Sequence, residues 1–485
     1  MSDHEILSVA QMTAADAAAI AAGRSGIWLM ENAAAAVARA VIRHWTPRPT
    51  VVLCGPGNNG GDGFGVALGL ARARWPVQVA LLGAREGLSV DAALMAARWT
   101  GNIAPLGPEV IDGQALVVDA LFGAGLARPV AGVAAATLEA VVAAGLDTLA
   151  IDVPSGVDGD TGAIRGAVAP ARRTVSFFRP KPAHVLSPGR RLCGEIEIAD
   201  IGLPRSVLAT VGSVGRVNGP RLWRDRFPSP RPEGHKYDRG HAVVAGGATM
   251  TGAAKLAAGA ALRAGAGLVT VAAPEEAIEI YAKSLSSVMV APVGDAEAWR
   301  TLLSDPRKTA VLVGPGNGVG AATRAAALAA IGLGKPTVLD ADALTSFAGA
   351  PAALFSAINE SCLLTPHDGE FARLFDVTGD RISRARDAAA RSGATVLLKG
   401  PESVVAAPDG RLAVTVNGVP DLASAGTGDV LAGIAVGLMA AGMDAFDAGC
   451  AAAWLHGETG RARGAGLSAE DLADILPPIL KALRA

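Results

Sequence analysis

The chain has 485 residues and a formal net charge of −2, a balance that gives no reason to expect nucleic acid or another polyanion as a partner. That length exceeds one ordinary core, and 51% hydrophobic residues suffice to bury two large ones. Aromatics make up only 4% of the chain against 60 glycines, which implies close backbone packing rather than filling by large rings.

The four cysteines, Cys54, Cys193, Cys362 and Cys450, form no CxxC pair and read as small buried apolar residues in a reducing compartment. Met1 to Glu5 shows no basic segment leading into an apolar one, so no signal peptide is expected. Alanine runs such as Ala33 to Ala36 are broken by charge well short of the roughly 20 apolar residues a membrane span needs. A cytoplasmic protein without a membrane partner is the expectation.

In chain order, residues 14–44 carry two Ala-rich helices, with Thr13 and Ser25 as candidate N-caps. Continuous apolar runs follow at 51–54, 77–82, 115–118 and 148–151, the pattern of buried parallel strands. Helical stretches near 64–74, 89–99 and 131–144 separate them, giving the rhythm of a doubly wound α/β sheet. Around 203–234 the texture changes to Pro204, Pro220, Pro228, Pro230 and Pro232 among Arg and Gly, with Trp223 as a docking residue. Beyond it, strands are predicted near 241–246, 268–273, 311–313, 337–339, 362–364 and 395–398, with a long helix after Asp429. The expected organisation is two α/β domains, 1–210 and 235–485, joined by a linker at 211–234.

In the first half, Gly55-Pro-Gly-Asn-Asn-Gly-Gly-Asp-Gly63 follows a strand and opens a helix predicted to begin near Phe64. Glycines there let backbone amides approach a ligand, and a helix N-terminus favours negative charge. No Gly-Lys-Ser/Thr follows, so this is not a Walker A loop. Asp119 and Asp152 each end an apolar run, and Ser155 follows closely. In a parallel sheet, strand carboxyl ends line the ligand crevice, so these residues converge on one edge.

GPGNNGGDG, VDALFGAGL and AIDVPSGVDGDTG, with Thr174 to Lys181 and Gly194 to Gly202, resemble the NAD(P)H-hydrate epimerase domain and imply a Rossmann-like sheet. The resemblance implies hydrate contacts at Asn58, Asn59, Gly60, Gly61 and Asp62, and along Gly123, Ala124, Gly125, Leu126, Ala127, Arg128 and Pro129. It implies potassium held by Asn59, Asp119 and Ser155; oxygen ligands suit so hard a cation. Asp152 becomes the substrate-contacting acid/base, with Lys181 as helper. Ala183 departs from a commoner Gly.

In the second half, Gly426-Thr427-Gly428 exposes amides at the start of a helix, an anion hole for a transferring phosphoryl group. Asp429 enters the first turn, placed to take a proton from an attacking hydroxyl. Gly314 to Gly318, Asp340 to Asp342, Thr365 to Glu370 and Lys399 to Ser403 each follow an apolar run. His367, at the start of a helix, reads as a site residue; His235, His241 and His456 lack metal-ligand spacing, so no zinc is expected.

These segments, from about 233 to 480, resemble the ADP-dependent NAD(P)H-hydrate dehydratase, a relative of ribokinase-like kinases. That resemblance implies hydrate contacts at Ala253, Gly316, His367 and Asp429. It also implies an ADP site at Lys399, Gly400, Pro401, Glu402, Ser403 and Gly428. Tyr237 and Asp421 replace commoner glycines. Magnesium is expected with the nucleotide, NADH and NADPH hydrates as substrates, and a homo-oligomer as the assembled state. The implied chemistry has Asp429 deprotonate the C6 hydroxyl of the damaged nicotinamide ring, which attacks the β-phosphate of ADP; the ring nitrogen then expels phosphate. The alternatives are a small-molecule kinase, since Gly-Thr-Gly-Asp also suits those enzymes, and a non-enzymatic nucleotide-binding scaffold.

Overall fold

The computed structural model describes residues 5–484; residues 1–4, which carry most of the expectation about a leader, lie outside the described residues. The chain divides into two compact units, Met1–Arg216 and Val217–Ala485.

The first unit opens with β1 (Glu5–Ile6) and the helices Val9–Ala21 and Gly26–His44. Ser8, not Thr13, caps the first helix, because Gln11 three residues on completes a capping box with it. Thr13 lies one turn inside, its hydroxyl donating to the Val9 carbonyl at 3.0 Å. Ser25 caps the second helix as expected. Strands β2 (Thr50–Cys54), β3 (Val77–Leu81), β4 (Ile103–Pro105), β5 (Leu116–Ala120), β6 (Asp147–Ile151), β7 (Arg173–Phe177) and β8 (Glu195–Ala199) form a seven-stranded parallel sheet in the order β4-β3-β2-β5-β6-β7-β8. β1 pairs antiparallel with β9 (Gly215–Val217) through Glu5↔Arg216 and Ile6↔Gly215. β8 escapes an apolar-run reading because its sequence, EIEIA, alternates, as a half-exposed edge strand does.

The helix after β2 spans Asn58–Arg72 and so begins ahead of the expected Phe64. The glycine segment is itself the first turn of the helix. A Cβ on Gly60 would stand 1.8 Å from the Gly55 carbonyl, so the sequence there answers to close packing rather than to helix propensity.

Within the stretch read as a linker, Trp223 is wholly buried, donates to Asn218 Oδ1 at 3.1 Å and meets Trp454 edge-on at 5.8 Å. The second unit's strands are β10 (His241–Ala245), β11 (Leu268–Ala273), β12 (Met289–Pro292), β13 (Ala310–Val313), β14 (Thr337–Leu339), β15 (Cys362–Leu364), β16 (Thr395–Leu398), β17 (Ser403–Ala406) and β18 (Leu412–Thr415). They run in the order β18-β17-β16-β15-β14-β13-β10-β11-β12. β10 to β16 are parallel, while β17 and β18 add an antiparallel edge. This is a mixed, mainly parallel α/β sheet.

Helices Thr251–Ala264 and Thr427–Ala440 pack on each other with almost no side chain between them. A Cβ on Gly433 would lie 2.2 Å from the Ala257 carbonyl, and one on Gly437 2.5 Å from that of Ala261. The scarcity of aromatics is explained at this contact: small residues let the two backbones touch.

Candidate active sites

In the first unit the strand order reverses between β2 and β5, and the loops leaving those two strands meet there. The Gly55 amide donates to the Ala120 carbonyl at 3.0 Å, and a Cβ on Gly55 would collide with the Leu121 carbonyl at 1.8 Å. Beside this point opens a cavity of about 520 Å³. Asn58, Asn59, Asp62, Asp152, Lys181 and the 123–128 loop line it. Asp16, from the first helix, lines it as well. Pro129 lies in an adjoining cavity that shares Arg128 and Leu126.

Asp152 follows β6 in the left-handed region, φ 69°, which Asp tolerates better than most side chains but still at some strain. It is held from every side. Its Oδ1 accepts from Lys181 Nζ at 2.6 Å and Ser176 Oγ at 2.9 Å, and its Oδ2 from the Ala124 amide at 2.9 Å. The Lys181 amide donates to His184 Nδ1 at 2.9 Å, so His184 Nε2 carries the ring proton and donates to the Asp152 carbonyl at 2.7 Å. Burial alone would raise the Asp152 carboxyl; the Lys181 ammonium and the donors around it win and bring it down to about 2. His184 is pushed down to about 4, first by burial and then by Lys181.

Asp119 is wholly buried and accepts both the amide and the hydroxyl of Ser155, at 2.8 and 2.6 Å. Burial raises its carboxyl, opposed by the bonds from Ser155 and Leu121. Among the described residues no cationic side chain pairs with it. The Ser155 hydroxyl also meets the Phe122 amide and carbonyl, and Asn59 approaches the next residue, Gly123. Asn59 Nδ2 is buried without a hydrogen-bond partner. Oxygens of Asn59, Asp119 and Ser155 therefore gather about the Phe122–Gly123 turn, a donor set suited to a hard cation.

In the second unit the order reverses between β10 and β13, and two glycine loops meet at that place. A Cβ on Gly247 would stand 1.6 Å from the Gly316 carbonyl, and one on Gly316 2.4 Å from that of Met250, three residues before Ala253. Gly426 has φ 84° and caps the helix Thr427–Ala440. The Thr427 hydroxyl donates to the carbonyls of Leu422 and Ser424, pinning the turn. The first helical bond runs from the Val430 amide to Gly426, so the amides of Gly428 and Asp429 remain free of backbone partners among the described residues. Lys399 Nζ comes within 3.5 Å of where a Cβ on Gly428 would stand.

Lys399 Nζ is bonded to Asp340 Oδ1 at 2.7 Å, which also accepts from Thr365 Oγ1, and lies 4.0 Å from Glu370 Oε2. Burial works against this ammonium, but Asp340 and Glu370 more than offset it. Among the described residues Asp429 has no such direct partner; burial, and then Asp340, push its carboxyl up to about 6 against the pull of Lys399. His367 caps the helix Asp368–Leu374, its Nδ1 accepting the Gly369 and Glu370 amides, which leaves Nε2 3.3 Å from Glu370 Oε1. Gly400, Pro401 and Glu402 lie in the turn between β16 and β17, with Glu402 buried, and Ser403 opens β17. Missed by the sequence reading are Asp16, Ser176 and His184 in the first unit. In the second, Asp340 was marked without its partnership with Lys399, and His456 carries an unpartnered buried Nε2. Among the described residues, no group of three or more His, Cys, Asp or Glu could hold a metal, and no helix is long and apolar enough to cross a membrane.

Two doubly wound α/β units, each with a site at its switch point, define a two-site α/β enzyme. Residues 241–478 match the NAD(P)H-hydrate dehydratase family, and residues 27–183 the YjeF-related protein N-terminus. The bifunctional NAD(P)H-hydrate repair enzyme of Thermofilum pendens is 34% identical over 94% of this chain and 92% of its own. That of Moorella thermoacetica is 36% identical over 94% and 93%. The Bacillus subtilis ADP/ATP-dependent NAD(P)H-hydrate dehydratase co-crystallised with ATP/Mg2+ is 28% identical over 55% of this chain and 97% of its own, with a TM-score of 0.47. The chain belongs to the family of bifunctional NAD(P)H-hydrate repair enzymes.

Proposed function

We propose that the first unit interconverts the R and S hydrates of NADH and NADPH in the cavity beside Asp152, and that the second dehydrates the S form with ADP at Asp429. The observation that carries the second activity is Asp429 itself. It sits in the first turn of a helix beside two free amides, while Asp340 occupies the neighbouring lysine. A carboxyl near 6 is ionised at neutral pH yet basic enough to take a proton.

Asp429 takes the proton of the C6 hydroxyl, whose oxygen attacks the β-phosphate of ADP over the amides of Gly428 and Asp429. AMP leaves, the ring nitrogen's lone pair then expels phosphate from C6 to give the N1=C6 iminium, and loss of a C5 proton to solvent returns the electrons to N1 and restores the C5=C6 double bond of the reduced nicotinamide. Lys399 to Ser403 and Gly428 hold the nucleotide; Ala253, Gly316 and His367 contact the hydrate. Magnesium travels with the nucleotide phosphates. In the first unit Asn58 to Asp62 and Gly123 to Pro129 embrace the hydrate around Asp152. Asn59, Asp119 and Ser155 hold potassium, which neutralises a buried carboxylate and fixes the Phe122–Gly123 turn.

The working assembly is a homo-oligomer in the cytoplasm. Racemic hydrate with ADP or ATP, followed by nicotinamide absorbance and by epimer ratio, tests both activities. Asp429→Asn should lose nucleotide-driven dehydration by about a thousandfold while epimerisation continues. A stable phosphorylated product made from ATP would instead favour the kinase reading.

A further inference from the structure

Three carboxyls face the first unit's cavity, Asp16, Asp62 and Asp152, and one ammonium, Lys181, serves them. That ammonium is committed: it bonds Asp152 at 2.6 Å and Ser176 at 2.9 Å. Asp152 collects three donors and is a fixed anion, poorly suited to give up a proton it does not hold. Asp16 and Asp62 are the reverse. Neither receives a hydrogen bond from any described residue, and Asp62 is only 9% exposed. Two unpaired carboxyls beside a fixed anion hold their protons to higher pH than free carboxyls do, Asp62 the more strongly, since ionising either would set like charges together away from water.

We propose that Asp16 is the general acid of this site, giving its proton to the hydroxyl that leaves C6 of the bound hydrate. The inference rests on reading the first unit as the epimerase. Asp16 is the only ionisable residue in its helix, VAQMTAADAAAIA, and among the described residues it has no ion pair to explain it. That helix is held at its first turn by the Ser8 capping box, by the Val9 amide on Asp160 Oδ1 at 2.7 Å and by Gln11 Nε2 on the Val211 carbonyl at 3.1 Å. Asp16 is thus aimed by a rigid element, and it is less buried than Asp62, so it can be reprotonated from water.

In the step, the ring N1 lone pair forms the N1=C6 bond as the C6–O bond breaks. The departing oxygen takes the Asp16 proton and leaves as water. The iminium charge is faced by the Asp152 carboxylate. Water then adds to the other face of C6, the N1=C6 electrons return to N1, and the surplus proton goes back to the Asp16–Asp62 pair. The site ends with the protons it began with, and only the configuration at C6 has changed. Burial holds the Asp16 carboxyl up at about 6, with Lys181 opposing and Asp152 reinforcing the rise, so that it carries a proton on the acid side of neutrality.

The test follows a single epimer of the hydrate toward the R/S equilibrium on the full chain without ADP, with the spontaneous rate subtracted. Asp16→Asn should lower kcat by about a hundredfold and leave KM within about threefold, and Asp16→Glu should recover part of the rate. In the parent, kcat should fall as pH rises and the acid is lost. The groups facing Asp16 are Asp62 from the helix Asn58–Arg72, Asp152 after β6 and Lys181 after β7, with His184 beneath Asp152. All of these remain in Asp16→Asn, so disappearance of the alkaline limb in that variant points to Asp16 itself. An Asp16→Asn chain within threefold of the parent, or one that loses rate but keeps the parent's alkaline limb, overturns the proposal. A parent that does not epimerise overturns the epimerase reading, a result plainly different from an active parent indifferent to residue 16.

Discussion

Asp152, just past the end of β6, and Asp429, in the first turn of the helix after Gly426, are the central carboxyls of the two candidate sites, yet they are pushed in opposite directions. Asp152 receives its lysine directly and falls to about 2; Asp429 watches its lysine bond Asp340 and rises to about 6. Burial raises both carboxyls, so it cannot be what sends them in opposite directions. The placement of one ammonium decides which acid is a fixed charge and which holds its proton to higher pH.

The largest effect on that contrast is expected from Lys181→Met. Asp152 would be left buried with only neutral donors, and its carboxyl should climb toward neutrality. Epimerisation should fall about a hundredfold, and the first unit should lose about 3 kcal/mol, as when one partner of a buried pair is removed. A depressed carboxyl stabilises the fold above its unfolded value of about 4 and ceases to do so as pH falls toward 2. In the variant the raised carboxyl penalises the fold only while it is ionised, so the stability deficit against the parent, followed by circular dichroism, should be largest at neutral pH and shrink as pH falls. A deficit that does not change with pH would show that Lys181 is not what holds Asp152 down.

Asp340→Asn probes the other side. It removes the charge that raises Asp429 and releases Lys399 toward it, so the acid limb of dehydration should move down by about one pH unit, roughly a tenfold gain in relative rate well below pH 6. A limb that stays put would mean burial alone sets Asp429. The smallest effect concerns scaffold rather than charge. Gly433→Ala places a methyl 2.2 Å from the Ala257 carbonyl, and a loss of about 1–2 kcal/mol should appear in thermal unfolding of the second unit even though alanine is the better helix former.

Much of this architecture is legible in the chain because buried parallel strands are continuous apolar runs; β2, β5, β6, β13 and β16 stand out for that reason. The helix Asn58–Arg72 starts inside a glycine tract, where local propensity argues against a helix and only tertiary packing supports one. Thr13 looks as good a cap as Ser8 until the partner three residues on is weighed. The strand-end acids could be placed at the candidate sites from topology alone, but their electrostatic character could not. Asp340 and Lys399 are 59 residues apart, and nothing local to either announces the bond. Asp16 was invisible for a simpler reason: a single Asp in an alanine helix resembles any solvated position.

The left-handed backbone at Asp152 carries a practical consequence for anyone building an inactive control. A mutational library at this position is filtered twice, once by conformation and once by chemistry. Asparagine and glycine satisfy the first filter and fail the second, whereas alanine risks failing both, since its Cβ is penalised by about 1–2 kcal/mol in that region. Asp152→Asn is therefore the substitution to choose when the folded protein is wanted without its carboxylate.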